Sequence, residues 1–288
     1  MVEIDGPWTN VTANPDLGVL TGPDQQPVDF AIWKDRNGGW HIWECIRFTL
    51  IGGNTRLFFH WQAPTPTGPW TPVGVAMTAD PSVGEVAGGL QAPYVFDDGT
   101  RYRMLYGAWD SICSQTSDDG VTFTRTLDAN GQCPLFSEGP MANTRDAMVL
   151  RVGDLWNVYY TAALLDPSGA QGRVYARTSR DLISWTDPVT VSYGGAAGSD
   201  VASTECPFVV HRPDGYYLFR THRYGAMPLT DVYRSPDPLM FGNDDDRYRI
   251  GTLPVAAPEI FEYDGRTYIA ALELGTDGIR IAPLRWPE

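Results

Sequence analysis

Lysine is almost missing from this 288-residue chain: Lys34 is the only one among 21 basic residues, against 35 acidic ones. The net charge of −14 leaves no basic surface to attract polyanions, so nucleic acid, anionic membranes and polyanionic polysaccharides are excluded as favoured partners. Cysteine is scarce too. The four (Cys45, Cys113, Cys133, Cys206) show no CxxC spacing, which argues against a structural zinc site. No apolar run approaches the length of a membrane span, and helical periodicity is nearly absent. The opening residues Met1-Val2-Glu3-Ile4-Asp5-Gly6 have neither the basic nor the apolar region of a signal peptide. That leaves a cytoplasmic protein, or a periplasmic or extracellular one whose signal has been removed.

What the chain has in quantity is one repeated unit. In Thr204-Glu205-Cys206-Pro207-Phe208-Val209-Val210 a carboxylate stands just ahead of a proline and an apolar run. The turn Pro213-Asp214-Gly215 and the aromatic run Tyr216-Tyr217-Leu218-Phe219-Arg220 follow, so the whole reads as a β-hairpin with an acid at its start. Aligned on the turn, the unit occurs five times: Asp29-Phe30 with Asn37-Gly38, Gln91-Ala92-Pro93 with Asp98-Gly99, Arg145-Asp146-Ala147 with Gly153-Asp154, Glu205-Cys206-Pro207, and Ala257-Pro258-Glu259 with Asp264-Gly265. The spacing of roughly 50–60 residues is of the size that repeat architectures assign to propeller blades.

Two more strand-like runs follow each hairpin, the second usually ending in an aromatic after a polar turn. Four strands per repeat and five repeats predict an all-β fold, a single five-bladed β-propeller. The blades are expected over about 28–78, 91–128, 145–192, 205–250 and 256–286, with no second domain. Residues 1–27 read as an extended lead-in able to lend an outer strand that closes the ring. Phe123, Trp185 and Phe241 are expected to pack between blades. Cys113 and Cys133 fall within one blade and could approach each other, but free buried cysteine is the commoner state and is the expectation here.

The connections between blades place every inner-strand start, and every second-strand end, at one face of the ring. The starts offer Asp29, Gln91, Asp146, Glu205 and Glu259; the ends offer Glu44, Arg47, Trp109, Asp110, Arg220, His222, Arg223 and Glu273. Asp29 and Asp146 stand one residue before the proline position and Glu205 two before it. Like charges crowded on one axis raise one another's pKa and give a structural ring nothing, so the three read as chemistry. Glu259 follows its proline and is expected to point elsewhere.

With this pattern on view, the chain resembles the five-bladed propeller glycoside hydrolases of families 43, 32, 62 and 68. These carry an Asp early in the first blade, an Arg-Asp-Pro-like motif in the third and a Glu-Cys-Pro-like motif in the fourth. Phe30 and Ala147 replace prolines here. The resemblance implies that Asp29 is base or nucleophile, and that Asp146 holds sugar hydroxyls and tunes the acid. Glu205, the longer side chain and beside apolar Pro207 and Phe208, is the acid candidate. Arg145 would grip a hydroxyl or supply counter-charge, with Gln91, Asp110 and Arg220 around the sugar. Trp109 is either a stacking face or rim packing, and His222 either a contact or a structural hydrogen-bonder. The expected partner is an oligosaccharide or polysaccharide ending in a furanose or pentose; oligomeric state is not legible. No cofactor is required by this chemistry. A structural calcium occurs in the channel of some relatives, but no oxygen-rich loop here demands one. Two alternatives stay open: a glycoside phosphorylase using Arg220, His222 and Arg223 for phosphate, and a sugar-binding propeller without turnover.

Overall fold

The computed structural model describes residues 1–166, 169–273, 275 and 277–287. Among them the only helices are three short 3-10 turns, Gly18–Leu20, Pro81–Val83 and Gly195–Ala197. The rest of the regular structure is strand, arranged as five antiparallel sheets in a ring: a five-bladed β-propeller.

Blade one runs Gln26–Lys34, Trp40–Arg47, Leu57–Ala63 and Thr71–Met77 from axis to rim. Blade three is Arg145–Val152, Leu155–Asp166, Gly169–Ser179 and Val189–Ser192. Blade four is Glu205–Arg212, Gly215–Arg223, Leu229–Ser235 and Arg249–Leu253. Blade two has Gln91–Asp97, Tyr102–Gly107 and Ile112–Ser117, with an outer edge in two pieces, Thr124–Arg125 and Pro134–Phe136. It therefore extends past residue 128, because the chain after Asp128 returns to pair with the third strand. That pairing sets Pro134 opposite Cys113 and brings Cys133 to it. Cys113 and Cys133 form a disulfide, with Cα atoms 5.3 Å apart, and the expectation of free thiols is corrected. Sequence spacing alone did not show that the outer edge doubles back.

Blade five, Glu259–Tyr263, Arg266–Leu272 and Ile279–Arg285, takes its outer edge from the beginning of the chain. Glu3 pairs with Arg285 and Thr9 with Ile281, so first and last segments close the ring. The Thr12 hydroxyl accepts from Ile279 N–H at 2.9 Å and donates to the Glu44 carboxylate of blade one.

A recurrent turn follows the third strand. Ser117/Asp119, Ser179/Asp181 and Ser235/Asp237 cap it, each aspartate accepting backbone N–H groups two or three residues on. Such side-chain-to-backbone bonds favour turns over continued strand. The aromatic that follows is delivered to the seam: Phe123 packs on Trp33 and Trp43 of blade one, Trp185 on Phe136 of blade two, and Phe241 is fully buried. The inner strand of blade one is almost wholly buried, with seven consecutive buried residues from Pro27 to Trp33. Such a strand reads as an unbroken apolar run because both its faces are covered.

Candidate active site

At the entrance of four of the five inner strands one residue is in the left-handed region: Ala92 (φ 35°), Asp146 (61°), Cys206 (46°) and Ala257 (49°). Each directly precedes Pro93, Ala147, Pro207 or Pro258, where proline disfavours helical backbone in the residue before it. Asp29 holds the same place in blade one, beside a register shift between Pro27 and Asp29. Register shifts also separate Gln91 from Tyr94, Arg145 from Met148 and Glu205 from Phe208. A bulge of this kind re-aims side chains, and a left-handed non-glycine residue costs about 1–3 kcal/mol.

The consequence is functional. Strand residues normally alternate faces, yet Arg145 and Asp146 line the same cavity. By strand position, Gln91, Arg145 and Glu205 occupy one level around the axis, and Asp29, Asp146 and Cys206 the next.

The mouth cavity measures about 270 Å3 and is lined by Asp29, Asp146 and Glu205 with Arg47, Arg56, Arg145, Gln91 and Tyr224 among others. Asp29 and Asp146 are 6% exposed, while the Glu205 side chain is 22% exposed and is the most open of the three. Arg145 is the hub. Its Nη2 donates to Glu205 Oε1 at 2.6 Å, its Nε lies 3.7 Å from Asp146 Oδ2, and its Nη1 donates to both oxygens of Asn143 at 3.0 Å. The Cys206 N–H donates to Asp146 Oδ2 at 2.9 Å. The Cys206 thiol donates to Asp29 Oδ1 at 3.3 Å and sits 3.1 Å from the Tyr224 hydroxyl. Arg56 stands 4.0 Å from Asp29 Oδ2.

Burial raises all three carboxylates. Asp146 is pushed up to about 6 by loss of solvent, against the pull of Arg145. Glu205 is raised by burial and by the Asp146 charge, again opposed by Arg145. Asp29 is raised by burial and opposed by Arg56, and the Glu205 charge adds to the rise. Burial also holds Cys206 and Tyr224 well above their usual values, so both stay neutral donors near neutral pH. The group thus combines carboxyls that keep protons towards neutrality with arginines that favour the ionised form, which is the raw material of paired acid and base work.

One ligand atom each of Asp29, Asp146 and Cys206 lies within 4.8 Å of the others. Calcium takes six to eight oxygen ligands, whereas this cluster offers two carboxylates already receiving N–H and S–H donors, next to two arginines. The next cavity along the axis is about 30 Å3, lined by Asp29, Asp146, Cys206 and Glu259 among apolar groups. Glu259 Oε2 accepts from Ile32 N–H at 2.9 Å, and burial holds it well above its usual value. The donor set does not fit calcium. Glu259, expected to point elsewhere, shares this inner cavity with Asp29 and Asp146 and does not line the mouth cavity that holds Glu205.

Several residues expected at the mouth lie elsewhere; Trp109, Asp110, Arg220 and His222 do not line this cavity. Arg220 is fully buried, donating to Ser192 Oγ and Gly194 O at 2.8 Å and stacking on Tyr233. His222 Nδ1 pairs with Asp231, which also holds Arg249. Arg223 Nε donates to Met227 O at 2.6 Å, so the phosphate pocket of the phosphorylase alternative is not assembled. Trp109 turns at φ 82° beneath the Arg56 guanidinium, 5.5 Å from its ring centre. Asp110 is half-buried and its carbonyl accepts from Ser137 Oγ at 2.5 Å. Glu44 is fully buried against Thr12 and Trp61, and Glu273 accepts from Asn10 at 3.2 Å. Sequence reasoning did not single out Arg56, Tyr224, Asn143 or the thiol of Cys206. The motif Glu-Cys-Pro carried the signal for the last.

The ring of five four-stranded blades is shared with solved glycoside hydrolases of families 43 and 32, and the chain has their fold. No family model matches it. A thermostable family-43 glycoside hydrolase superposes with a TM-score of 0.69 at 17% identity, covering 96% of this chain and 93% of that one. A family-32 β-fructofuranosidase of Bombyx mori gives 0.63 at 17% identity, covering 95% and 61%. In sequence the chain is 27% identical over 208 residues to the Aspergillus flavus protein named "Probable arabinan endo-1,5-alpha-L-arabinosidase C". That match covers 66% of this chain and 57% of the relative, so the chain spans little more than half its length.

Proposed function

We propose that this protein is a glycoside hydrolase that releases a terminal furanose or pentose from a plant or microbial glycan. The observation that carries the reading is the meeting of Asp29, Asp146 and Glu205 in one cavity, with Arg145 bridging the last two.

Glu205 is the general acid: it is the most open carboxyl, and burial and the Asp146 charge favour its protonated form. Its proton passes to the glycosidic oxygen as the carbon–oxygen bond breaks. Asp29, deeper and held by the Cys206 thiol and Arg56, acts on the other face. It either removes a proton from the attacking water or forms the glycosyl ester that water then cleaves. In both cases one water is consumed and Glu205 is reprotonated. Asp146 holds sugar hydroxyls and, through Arg145 and its own charge, sets the proton affinity of Glu205.

The test is Glu205→Gln on two leaving groups. General acid catalysis is worth typically about 10²–10⁴-fold. Loss on a pentose oligosaccharide should be of that order, while a 4-nitrophenyl pentoside, whose leaving group needs little protonation, should be cleaved far better. Equal losses on both would assign the acid elsewhere.

A further inference from the structure

Gln91 opens the inner strand of blade two, lines the mouth cavity and is 2% exposed. Its amide is held one way round by a chain that starts at Arg145. Arg145 Nη1 lies 3.0 Å from the backbone oxygen and from Oδ1 of Asn143, and a guanidinium only donates. Asn143 Oδ1 is therefore an acceptor, and the Gln91 atom 3.2 Å from it is the donor Nε2. The other end of the amide, Oε1, is buried and without a hydrogen-bond partner.

Backbone packing sets the same side chain in place. Gly107 pairs with Gln91 across the first two strands of blade two. A Cβ on Gly107 would stand 3.0 Å from Gln91 Cβ and 3.3 Å from Arg145 Cβ of blade three. Gly107 has no positive φ, so what its missing side chain supplies is room for Gln91 and Arg145 to close on each other.

Buried polar groups in folded proteins are nearly always paired, so an orphan acceptor on a residue of a cavity wall marks the place of a ligand donor. The Arg47, Arg56 and Arg145 guanidiniums of the same wall only donate, and the carboxyls change role with protonation. Gln91 Oε1 is an acceptor at every pH. An ether or ester oxygen set against it is repelled, acceptor to acceptor, whereas a hydroxyl satisfies it.

We infer that Gln91 determines specificity: its Oε1 accepts from one hydroxyl of the terminal sugar, which must be free. Sugars deoxygenated, methylated or acylated at that hydroxyl are poor ligands, because a site built to pair a hydroxyl is left unpaired by an analogue without one. This rests on the proposed sugar entering the mouth cavity.

The experiment is NMR titration of methyl α-L-arabinofuranoside and methyl β-D-xyloside into the full chain carrying Asp29→Asn, which removes turnover. Each ligand is compared with its monodeoxy and monodeoxyfluoro analogues, because fluorine accepts weakly but cannot donate. For the better-bound sugar, removal of one hydroxyl should weaken binding at least about fivefold, and fluorine there should not restore it. Adding Gln91→Met should shrink that one loss to within about twofold and leave losses at other hydroxyls in place. Asn143→Gly, which suits the left-handed backbone at φ 48°, frees the amide to turn. The fluoro analogue should then bind more tightly than the deoxy one, because Nε2 can face it. Where Gln91→Met fails to fold, the fluorine comparison and Asn143→Gly carry the test. The inference is overturned if fluorine replaces the hydroxyl without loss at every position, if either substitution leaves the pattern unchanged, or if neither glycoside binds. Turnover of aryl pentosides by the unsubstituted chain is scored separately. Turnover with an unmoved hydroxyl pattern leaves the hydrolase reading standing, and a Gln91-dependent hydroxyl without turnover removes that reading alone.

Discussion

One guanidinium ties two blades together at the site: Arg145 Nη2 lies 2.6 Å from Glu205 Oε1 while its Nε lies 3.7 Å from Asp146 Oδ2. The two carboxyls are neighbours of the same cation and of each other, so changing either neighbour of Glu205 should move its titration in a defined direction.

Removing the cation with Arg145→Met takes away the strongest influence that lowers Glu205. The acid then keeps its proton to higher pH, and the alkaline limb of the kcat/KM profile should shift upward. Asp146→Asn removes a charge that raises Glu205, so the same limb should shift downward. Asparagine tolerates the left-handed backbone at this position, where φ is 61°. Both variants should lose about 10²-fold or more in kcat. Profiles measured on one aryl pentoside check the account; shifts in the same direction for both variants would contradict it.

Glu44 offers a stability prediction away from the site. Burial pushes it from 4.5 up to about 7, opposed by the hydrogen bonds from Thr12 and Trp61. Between these values the folded chain keeps a proton that the unfolded chain has released, so stability falls as pH rises from about 4.5 to about 7. At about 1.4 kcal/mol per unit the cost is on the order of 3 kcal/mol above that window. Glu44→Gln mimics the protonated form, donating to Thr12 and accepting from Trp61. Urea unfolding at pH 5 and pH 8 should show the variant gaining on the parent at the higher pH.

The Cys113–Cys133 disulfide closes a 20-residue segment and pins the doubled outer edge of blade two. Cys133→Ala should lower stability by about 2–4 kcal/mol. A reductant should destabilise the parent by a similar amount and leave the variant unaffected in urea titrations.

The ring was legible because the hairpin recurs with its turn residues and its apolar inner strand. That Asp29, Asp146 and Glu205 meet in one cavity was legible because each stands one or two residues before the proline position. Side-chain aim was not. Counting from strand ends put Arg220, His222 and Glu44 at the mouth, but Arg220 and Glu44 are held by partners far away in sequence, Ser192 with Gly194 and Thr12, and His222 by Asp231 on the next strand of its own blade. Arg56 escaped notice for the complementary reason. It reaches the site because Arg56 N–H bonds to Gly88 O and Asn54 N–H to Ala87 O, a loop-to-loop contact without a local signature. The left-handed bulges that bring neighbouring residues such as Arg145 and Asp146 into one cavity are likewise a tertiary effect, hinted at only by the prolines that follow two of the site-bearing positions.

The central claim is that Asp29 attacks or activates water while Glu205 protonates the leaving oxygen. It is tested most directly by steady-state hydrolysis of 4-nitrophenyl α-L-arabinofuranoside and β-D-xyloside by the parent chain and by Asp29→Asn. The parent should turn over at least one of them. Asp29→Asn, with folding verified by circular dichroism, should lose at least about 10³-fold in kcat, because a good leaving group does not replace a base or nucleophile. Activity of Asp29→Asn within tenfold of the parent, or no turnover of either glycoside by the parent, would contradict the account.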